Sequence, residues 1–212
     1  MKRGRGASFV RARNISGQWH HRQPGSRRVI VKQRSVRAAL KGGRARAHLR
    51  YVQRDGTSRD GERGRLYSAT EDHADGDAFL DRGKDDRHQF RFIVSPEDGA
   101  ELSDLTAYTR DFMKQVEADL GTKLDWVAVN HYNTGHPHVH VIVNGRDDTG
   151  GDLVINGDYL ANGLRERASE LASLELGPVT EIEQTRKLSA EIDQDRFPRI
   201  DRAMAEEADA RF

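Results

Sequence analysis

The sequence predicts an α+β fold in which helices flank a central, mainly antiparallel β-sheet, with a helical extension at the C-terminal end. Segments with the two-residue alternation of strands are interleaved with segments whose apolar residues recur at the helical period. A Gly- and Asp-rich stretch at residues 145–151 separates two short apolar segments, as the turn of a β-hairpin does. Strands joined by such a turn run antiparallel.

The individual elements follow from local patterns. Runs rich in β-branched and aromatic residues predict strands at residues 28–36, 89–95, 124–130 and 139–144, and a return strand of the hairpin at 153–155. Apolar stripes predict helices at residues 44–53, 102–120, 158–176 and 180–211. Residues 55–86 are rich in Gly, Asp, Arg and Ser, so we expect a long connection with at most a short helix near residues 78–80.

Charge is strongly segregated along the chain, although the net charge is only +1. Residues 1–54 contain 16 Lys or Arg and no Asp or Glu, whereas the rest of the chain holds 19 basic and 34 acidic residues. Such a block is either a solvated arm or a surface for a polyanion, and its continuation into a patterned segment favours a phosphate-binding surface. We expect a basic, flexible arm at residues 1–27, a main domain at 28–176 and a helical extension at 177–212.

The composition excludes several classes of site. Cysteine is absent, which rules out disulfides and thiolate metal sites and is typical of a protein of the reducing cytoplasm. No apolar run approaches the ~20 residues that span a bilayer. We therefore expect a cytoplasmic protein without membrane insertion.

Histidines concentrate in one short segment, since four of the nine lie within residues 131–140. In a strand, His138 and His140 project from the same face. With His131 from the end of the preceding strand, they form a three-nitrogen site with open coordination positions, which a catalytic metal needs. One such histidine is usually an ordinary buried or surface residue, but three or four at this spacing in an apolar strand favour a metal site.

The spacing also argues against other metal enzymes. The helical zinc-protease pattern needs two histidines four residues apart with a glutamate between them, and the sequence lacks it. Metallohydrolases with two metal ions usually place an aspartate directly after the paired histidines, where this chain has Val141. Because no carboxylate adjoins the cluster, we expect the nucleophile to come from elsewhere in the chain.

The run HPHVHVIVN at residues 136–144 resembles the third motif of relaxases, the mobilisation nucleases of conjugative plasmids in the HUH endonuclease superfamily, here of the MOBP-like border-endonuclease type. RAHLRYVQRDG at residues 46–56 resembles the first motif, which carries the nucleophilic tyrosine of the family. The strand ending at Ser95 resembles the second motif, whose serine positions DNA near the cleaved bond. The motifs occur in the family's order, so the resemblance spans about residues 28–175; the first and third are specific and the second alone is weak.

The resemblance implies a relaxase catalytic domain at residues 28–176 that binds one divalent ion through His131, His138 and His140. Mn or Mg would be used, and three imidazoles also accept Zn, Ni or Co. Many relaxases have an acidic residue where this chain has Asn133; an amide can orient His131 but cannot raise its basicity through charge. Auxiliary candidates for supporting the ligands or contacting DNA are His136, Asn133, Ser95, Arg50, Arg54 and His48.

The nucleophile is sought among five tyrosines, Tyr51, Tyr67, Tyr108, Tyr132 and Tyr159. Tyr108 is expected to pack its helix, Tyr132 to point away from His131, and Tyr159 has no special surroundings, while chemistry alone leaves Tyr67 open. Tyr51 matches the motif and lies off the apolar stripe of its helix, near Arg44, His48, Arg50 and Arg54, whose positive charge would favour phosphate binding and phenolate formation. The alternative for Tyr51 is a partly buried amphipathic residue. Its proton acceptor stays open, with bound metal, arginines and His136 as candidates.

The function implied by the resemblance is site- and strand-specific nicking at a plasmid origin of transfer, through a covalent 5′-phosphotyrosyl adduct. The implied partners are single-stranded and supercoiled plasmid DNA, accessory relaxosome proteins and a type IV coupling protein. The adduct would pass from the bacterial cytoplasm into a recipient cell. Because family members are usually longer, the chain would be either the N-terminal relaxase portion or a natural short form.

Three alternatives remain at this point. A rolling-circle replication initiator belongs to the same superfamily, although a tyrosine that precedes the histidines favours a relaxase. A nucleic-acid-binding module could use the metal only to stabilise its fold. A metallophosphodiesterase that activates water would cleave DNA without becoming linked to it.

Overall fold

A computed structural model describes residues 25–37 and 43–186 of the chain. The strands are β1 (Val29–Arg37), β2 (Tyr67–Ser68), β3 (His88–Pro96), β4 (Trp126–His131) and β5 (His138–Asn144). The helices are α1 (Arg44–Val52), α2 (Gly76–Arg82), α3 (Leu105–Leu120) and α4 (Leu164–Leu176), the last preceded by a π-helical turn at Tyr159–Gly163. The predicted α+β class, with helices flanking an antiparallel sheet, is confirmed.

The five strands form one sheet in the order β1-β3-β5-β4-β2, and each neighbouring pair is antiparallel. Alternation along the strands gives the sheet two different faces. On the core face, apolar side chains such as Phe92 and Val141 pack against α3 and α4. The opposite face carries His138 and His140 and is partly covered by α1 and α2; we call it the site face.

Helix α3 covers the core face with a stripe of fully buried side chains that includes Phe112 and Val116. Its N-terminus is capped by Asp104, whose carboxylate accepts a hydrogen bond of 2.7 Å from the backbone N–H of Thr106. Its end is set by Gly121, which has a φ of 70° that side chains disfavour. The helix therefore begins three residues later than predicted from Leu102, which is still buried in the core.

The long connection predicted at residues 55–86 contains more regular structure than expected. The two-residue strand β2 pairs with β4 through Tyr67↔Ala128 and Ser68↔Val127, and so forms an edge of the sheet. Helix α2 is capped by the Asp75 side chain and buries Phe79 completely. A strand of two residues is too short to show an alternation pattern, which is why the sequence did not indicate it.

The predicted return strand at residues 153–155 is wrong. Within the described chain, this hairpin has a single isolated bridge, Arg146↔Asp152. The reason is topological, because β5 already lies between β3 and β4 and has no edge left for another strand. Leu153 is instead fully buried in the core as a loop residue, and its carbonyl accepts a hydrogen bond of 2.7 Å from the Nε2–H of His88.

The start of β1 is tied to the end of α4 by Arg27, the last residue of the predicted arm. The Arg27 side chain is buried and pairs with Asp98 at 3.0 Å and Glu183 at 3.2 Å. Its guanidinium also donates to the carbonyls of Leu176 and Gly177. The rest of the predicted arm lies almost wholly outside the described residues, as does the extension beyond residue 186, so the division into arm, domain and extension stays a prediction.

No helix of the described residues is long and apolar enough to cross a membrane.

Candidate metal centre and active site

The three predicted ligand histidines meet at one point of the site face. His131 ends β4 and lies directly opposite His138 at the start of β5, and His140 follows two residues later on the same face. Each offers a nitrogen that lies within 4.8 Å of those of the other two. The imidazole centroids are 4.3 to 5.2 Å apart, and all three side chains are buried. Three buried imidazoles at this distance would surround a single metal ion.

Backbone carbonyls determine which nitrogen of two of these rings carries the proton. His131 Nε2 lies 2.6 Å from the carbonyl oxygen of Val52, and His138 Nδ1 lies 3.1 Å from that of His136. Because a carbonyl oxygen only accepts, both of these nitrogens are donors, and the lone pair of each neutral ring is on its other nitrogen. A hydrogen bond from one ring nitrogen to a carbonyl is the usual arrangement of a metal-binding histidine. The donor set therefore fits a divalent ion.

The bond from His131 also joins the triad to α1, the helix that carries Tyr51. Val52 is the last residue of α1, and it is completely buried together with Leu49 against Val129 and Ile142 of the site face. The helix is thus fixed over the sheet with its C-terminal end at His131. Tyr51, one residue before Val52, is partly buried at the edge of the same apolar cluster.

Tyr51 is in contact with an arginine and a histidine. The guanidinium carbon of Arg54 lies 4.6 Å from the centroid of the Tyr51 ring, and the His48 ring is stacked at 6.4 Å. Burial, and next the neighbouring Arg91, lower the pKa of His48 to about 3. His48 is therefore neutral at neutral pH, and the expectation that it adds positive charge beside Tyr51 is wrong.

The other tyrosines lie away from this site. The hydroxyls of Tyr67, Tyr108 and Tyr159 donate to Asn130, the Ala168 carbonyl and Asp119, respectively. Burial raises the pKa of each of these three phenols, which opposes phenolate formation. Tyr132 is partly buried and packs against the core-face cluster. Tyr51 is therefore the tyrosine associated with the site face.

The auxiliary candidates are placed differently from one another. Ser95 is buried on β3; the register Val94↔Val139, continued by one residue, sets Ser95 beside His138 on the site face. The ring of His136 is partly buried, but its backbone carbonyl is what accepts from His138.

Two further candidates are exposed, Asn133 in the turn after β4 and Arg50 on α1. The carbonyl of Val52 orients His131, which is the role suggested for the amide of Asn133.

Sequence reasoning missed two groups at this site. The Val52 carbonyl is a backbone atom, so no residue type could have indicated it. Arg91 lies on the site face of β3 and is only 7% exposed. The sequence does contain an indication of Arg91, because this arginine interrupts a largely apolar strand at a position that shares a face with Ser95.

The chain is similar to a known protein family over about half of its length. Residues 62–172 match the family model described as relaxase, MobA/VirD2-like, nuclease domain. A comparison with curated proteins found no match. The matched segment contains the histidine triad and Ser95, and Tyr51 precedes it. Because the match covers more than half of the 212 residues, the chain belongs to the MobA/VirD2-like relaxase family of metal-dependent nucleases, and it is a DNA endonuclease.

Proposed function

We propose that the chain nicks one strand of DNA by transesterification, with Tyr51 as the nucleophile. The observation that carries this proposal is the 2.6 Å hydrogen bond between His131 and the Val52 carbonyl, because it ties the helix of the tyrosine to the histidine triad. A nucleophile and a phosphate-activating centre must lie together for an in-line attack. Packing of α1 on the site face maintains that proximity.

The triad supplies the phosphate-binding part of the site. His131 would coordinate through Nδ1 and His138 through Nε2, since their other nitrogens donate to carbonyls. His140 would complete the set. A divalent ion held there supplies Lewis-acid polarisation of a non-bridging phosphate oxygen. Mn or Mg would serve, and Zn, Ni or Co are compatible with the donors. Ser95, which is buried beside His138, would position the DNA near the cleaved bond.

In the reaction, the phenol oxygen of Tyr51 attacks the scissile phosphorus. A Tyr–O–P bond forms, the bond from phosphorus to the 3′-oxygen breaks, and the electron pair leaves with that oxygen. The phenol loses its proton as it attacks and the leaving oxygen gains one, so the protons balance. The products are a free 3′-hydroxyl and a 5′-phosphate linked to the enzyme. Since one phosphodiester replaces another and no water is consumed, the step is reversible and can rejoin strands.

Arg54 would assist by charge. Its guanidinium, 4.6 Å from the Tyr51 ring centroid, stabilises negative charge that develops on the phenol during attack. The exposed Arg50 and Arg44 on the same helix add to the positive potential that attracts DNA. In this proposal Asn133 and His136 have no direct part in the chemistry.

The proposal extends to a biological setting that is suggested by the resemblance to relaxases. We place the reaction at a plasmid origin of transfer, where the covalent adduct starts conjugative mobilisation. Accessory relaxosome proteins would present supercoiled DNA as a single strand, and a type IV coupling protein would pass the adduct from the cytoplasm to a recipient cell. The basic segment at residues 1–54 would bind the phosphate backbone.

The proposal is tested by incubating the protein with single-stranded oligonucleotides that tile an origin of transfer, in the presence of Mn²⁺ or Mg²⁺. We expect an adduct that survives SDS, together with a released fragment bearing a 3′-hydroxyl. Tyr51→Phe should abolish the adduct. Tyr132→Phe is the matched control and should retain it, because Tyr132 packs on the core face.

The same assay separates the alternatives. A binding module would give neither adduct nor cleavage, and a water-activating phosphodiesterase would cleave without an adduct and tolerate Tyr51→Phe. An adduct that persists in Tyr51→Phe would assign the nucleophile to another residue. If no origin oligonucleotide gives an adduct with the wild-type protein, the proposed function is wrong.

A further inference from the structure

Beside the triad, the site face carries a row of basic side chains on the two strands at its β1 edge. The antiparallel register pairs Arg34 of β1 with Arg91 of β3, and Lys32 with Ile93. Paired residues of an antiparallel sheet project to the same side. Ile93 in turn pairs with His140, so all of these side chains share the face of the histidines. We call Lys32, Arg34 and Arg91 the basic row.

The basic row begins close to the proposed reaction centre. Arg91 lies one strand away from β5 and two residues along β3 from Ile93, the partner of His140. Two residues of a strand span about 7 Å, and neighbouring strands are about 5 Å apart. The row then continues across β1 to the edge of the sheet. Its direction is therefore outward from the triad.

Arg91 keeps its positive charge although it is buried. Arg91 is buried, and its Nε–H donates to Gln89 Oε1 at 3.1 Å. Burial, and next the adjacent Arg34, lower the pKa of Arg91 to about 10, so that it still carries its charge at neutral pH. The five described strands contain no Asp or Glu. Positive side chains gathered on one face beside the triad raise the local potential there, and such a potential attracts the phosphates of a nucleic acid.

We propose that Arg91 and Arg34 together bind a backbone phosphate of the DNA strand on the β1 side of the scissile phosphate, and that Lys32 attracts the phosphate after it. Guanidinium groups fit phosphate oxygens through two parallel hydrogen bonds, and two arginines on adjacent strands can approach one phosphate from both sides. Arg91 would thus be a positioning residue. The inference rests on the proposed function for the location of the reaction centre, but the contact itself needs no catalysis.

The burial of Arg91 would give this contact a function that an exposed cation lacks. A guanidinium fixed by Gln89 holds its phosphate in one position, whereas the exposed Arg34 mainly adds charge. A phosphate fixed near the triad defines which bond of the strand reaches the nucleophile. The basic row would therefore set the register of the strand and contribute to affinity.

The test measures binding without metal or cleavage. A fluorescent single-stranded dT20 is titrated with protein in EDTA, and the dissociation constant is followed from 50 to 200 mM NaCl by anisotropy. Each phosphate contact in single strands contributes about 0.7 to the slope of log K against log salt. We expect Arg91→Gln and Arg34→Gln each to reduce the slope by about 0.7 and to weaken binding several-fold at 100 mM NaCl.

Arg165→Gln is the matched control, since Arg165 is an exposed arginine of α4, on the other side of the sheet. It should bind as the wild type does. A dT20 with a neutral methylphosphonate backbone should bind the wild type and both variants equally weakly. A difference that persists on the neutral backbone would mean base contacts and would overturn the assignment.

Folding of each variant is checked by thermal unfolding. If the buried substitution Arg91→Gln does not fold, the exposed Arg34→Gln decides the question. The proposal is wrong if the folded variants have the affinity and slope of Arg165→Gln. The adduct assay tests the proposed function, and the binding assay in EDTA tests the basic row. Because the binding assay involves no cleavage, either proposal can fail without affecting the test of the other.

Discussion

The stability of the protein should depend on pH through His48, the buried neighbour of Tyr51. In the folded chain, burial and then Arg91 lower the pKa of His48 to about 3, whereas an exposed histidine titrates near 6.5. Between these two values the unfolded chain binds a proton at this position and the folded chain does not. Acidification therefore favours the unfolded state, and the stability gained from a neutral His48 is lost as the pH falls below about 6.5.

The magnitude follows from proton linkage. Lowering the pH from 7 to 5 protonates almost all of the unfolded chains at His48 and almost none of the folded ones. The free energy of unfolding should fall by about 2 kcal/mol from this residue alone. The replacement His48→Gln keeps a polar side chain in the helix but removes the titration, so this part of the pH dependence should disappear.

The assay is urea unfolding at pH 7 and pH 5, in EDTA, for the wild type and His48→Gln. Contributions of the other histidines are common to both proteins and cancel in the comparison. We expect the wild type to lose about 2 kcal/mol more than the variant over this interval. Equal losses would refute the reasoning, and so would an NMR titration in which the His48 ring protonates near pH 6.5 in the folded wild type.

Two further predictions concern the histidine triad and the ion pairs of Arg27 at the start of β1. Mn²⁺ at about 100 times its dissociation constant should stabilise the wild type by about 2.7 kcal/mol, a rise in Tm of about 5–10 °C. The control His73→Ala, an exposed loop position, should show the same rise and His138→Ala none; an equal rise in His138→Ala would argue against the site. Arg27→Met should lower the free energy of unfolding in urea by about 3 kcal/mol, because it removes the ion pair with the Asp98 carboxylate, whose side chain is only 9% exposed; a loss below about 1 kcal/mol would contradict this.

Local patterns identified the elements whose residues carry a clear period. The strand predicted at residues 89–95 is β3 with one more residue at each end, and the helix predicted at 44–53 is α1 with Gln53 as its C-cap. The sequence did not indicate strand β2 and wrongly indicated a return strand, because each depends on whether a neighbouring strand has an open edge for pairing. Strand β2 exists because β4 has a free edge, and the return strand at residues 153–155 fails because β5 has none. Neither condition is a property of the segment itself.

For the site, residue type and spacing were enough to select the ligand candidates. Alternation in a strand places His138 and His140 on one face whatever else the fold does, and the family's motif order pointed to Tyr51. The sequence could not show which tyrosine hydroxyls form hydrogen bonds away from the site. The hydroxyls of Tyr108 and Tyr159 find their partners 60 and 40 residues away.

The sequence by itself determined the fold class, the clustering of histidines and the basic character of the first quarter of the chain, because periodicity, spacing and charge are local properties. Only the tertiary structure decided how the parts meet. It brought the Val52 carbonyl to His131 across 79 residues and set Arg34 beside Arg91 by the pairing of β1 with β3. It also buried His48 deeply enough to keep it neutral. Backbone contacts, strand register and desolvation depend on which segments pack together, and no single segment contains that information.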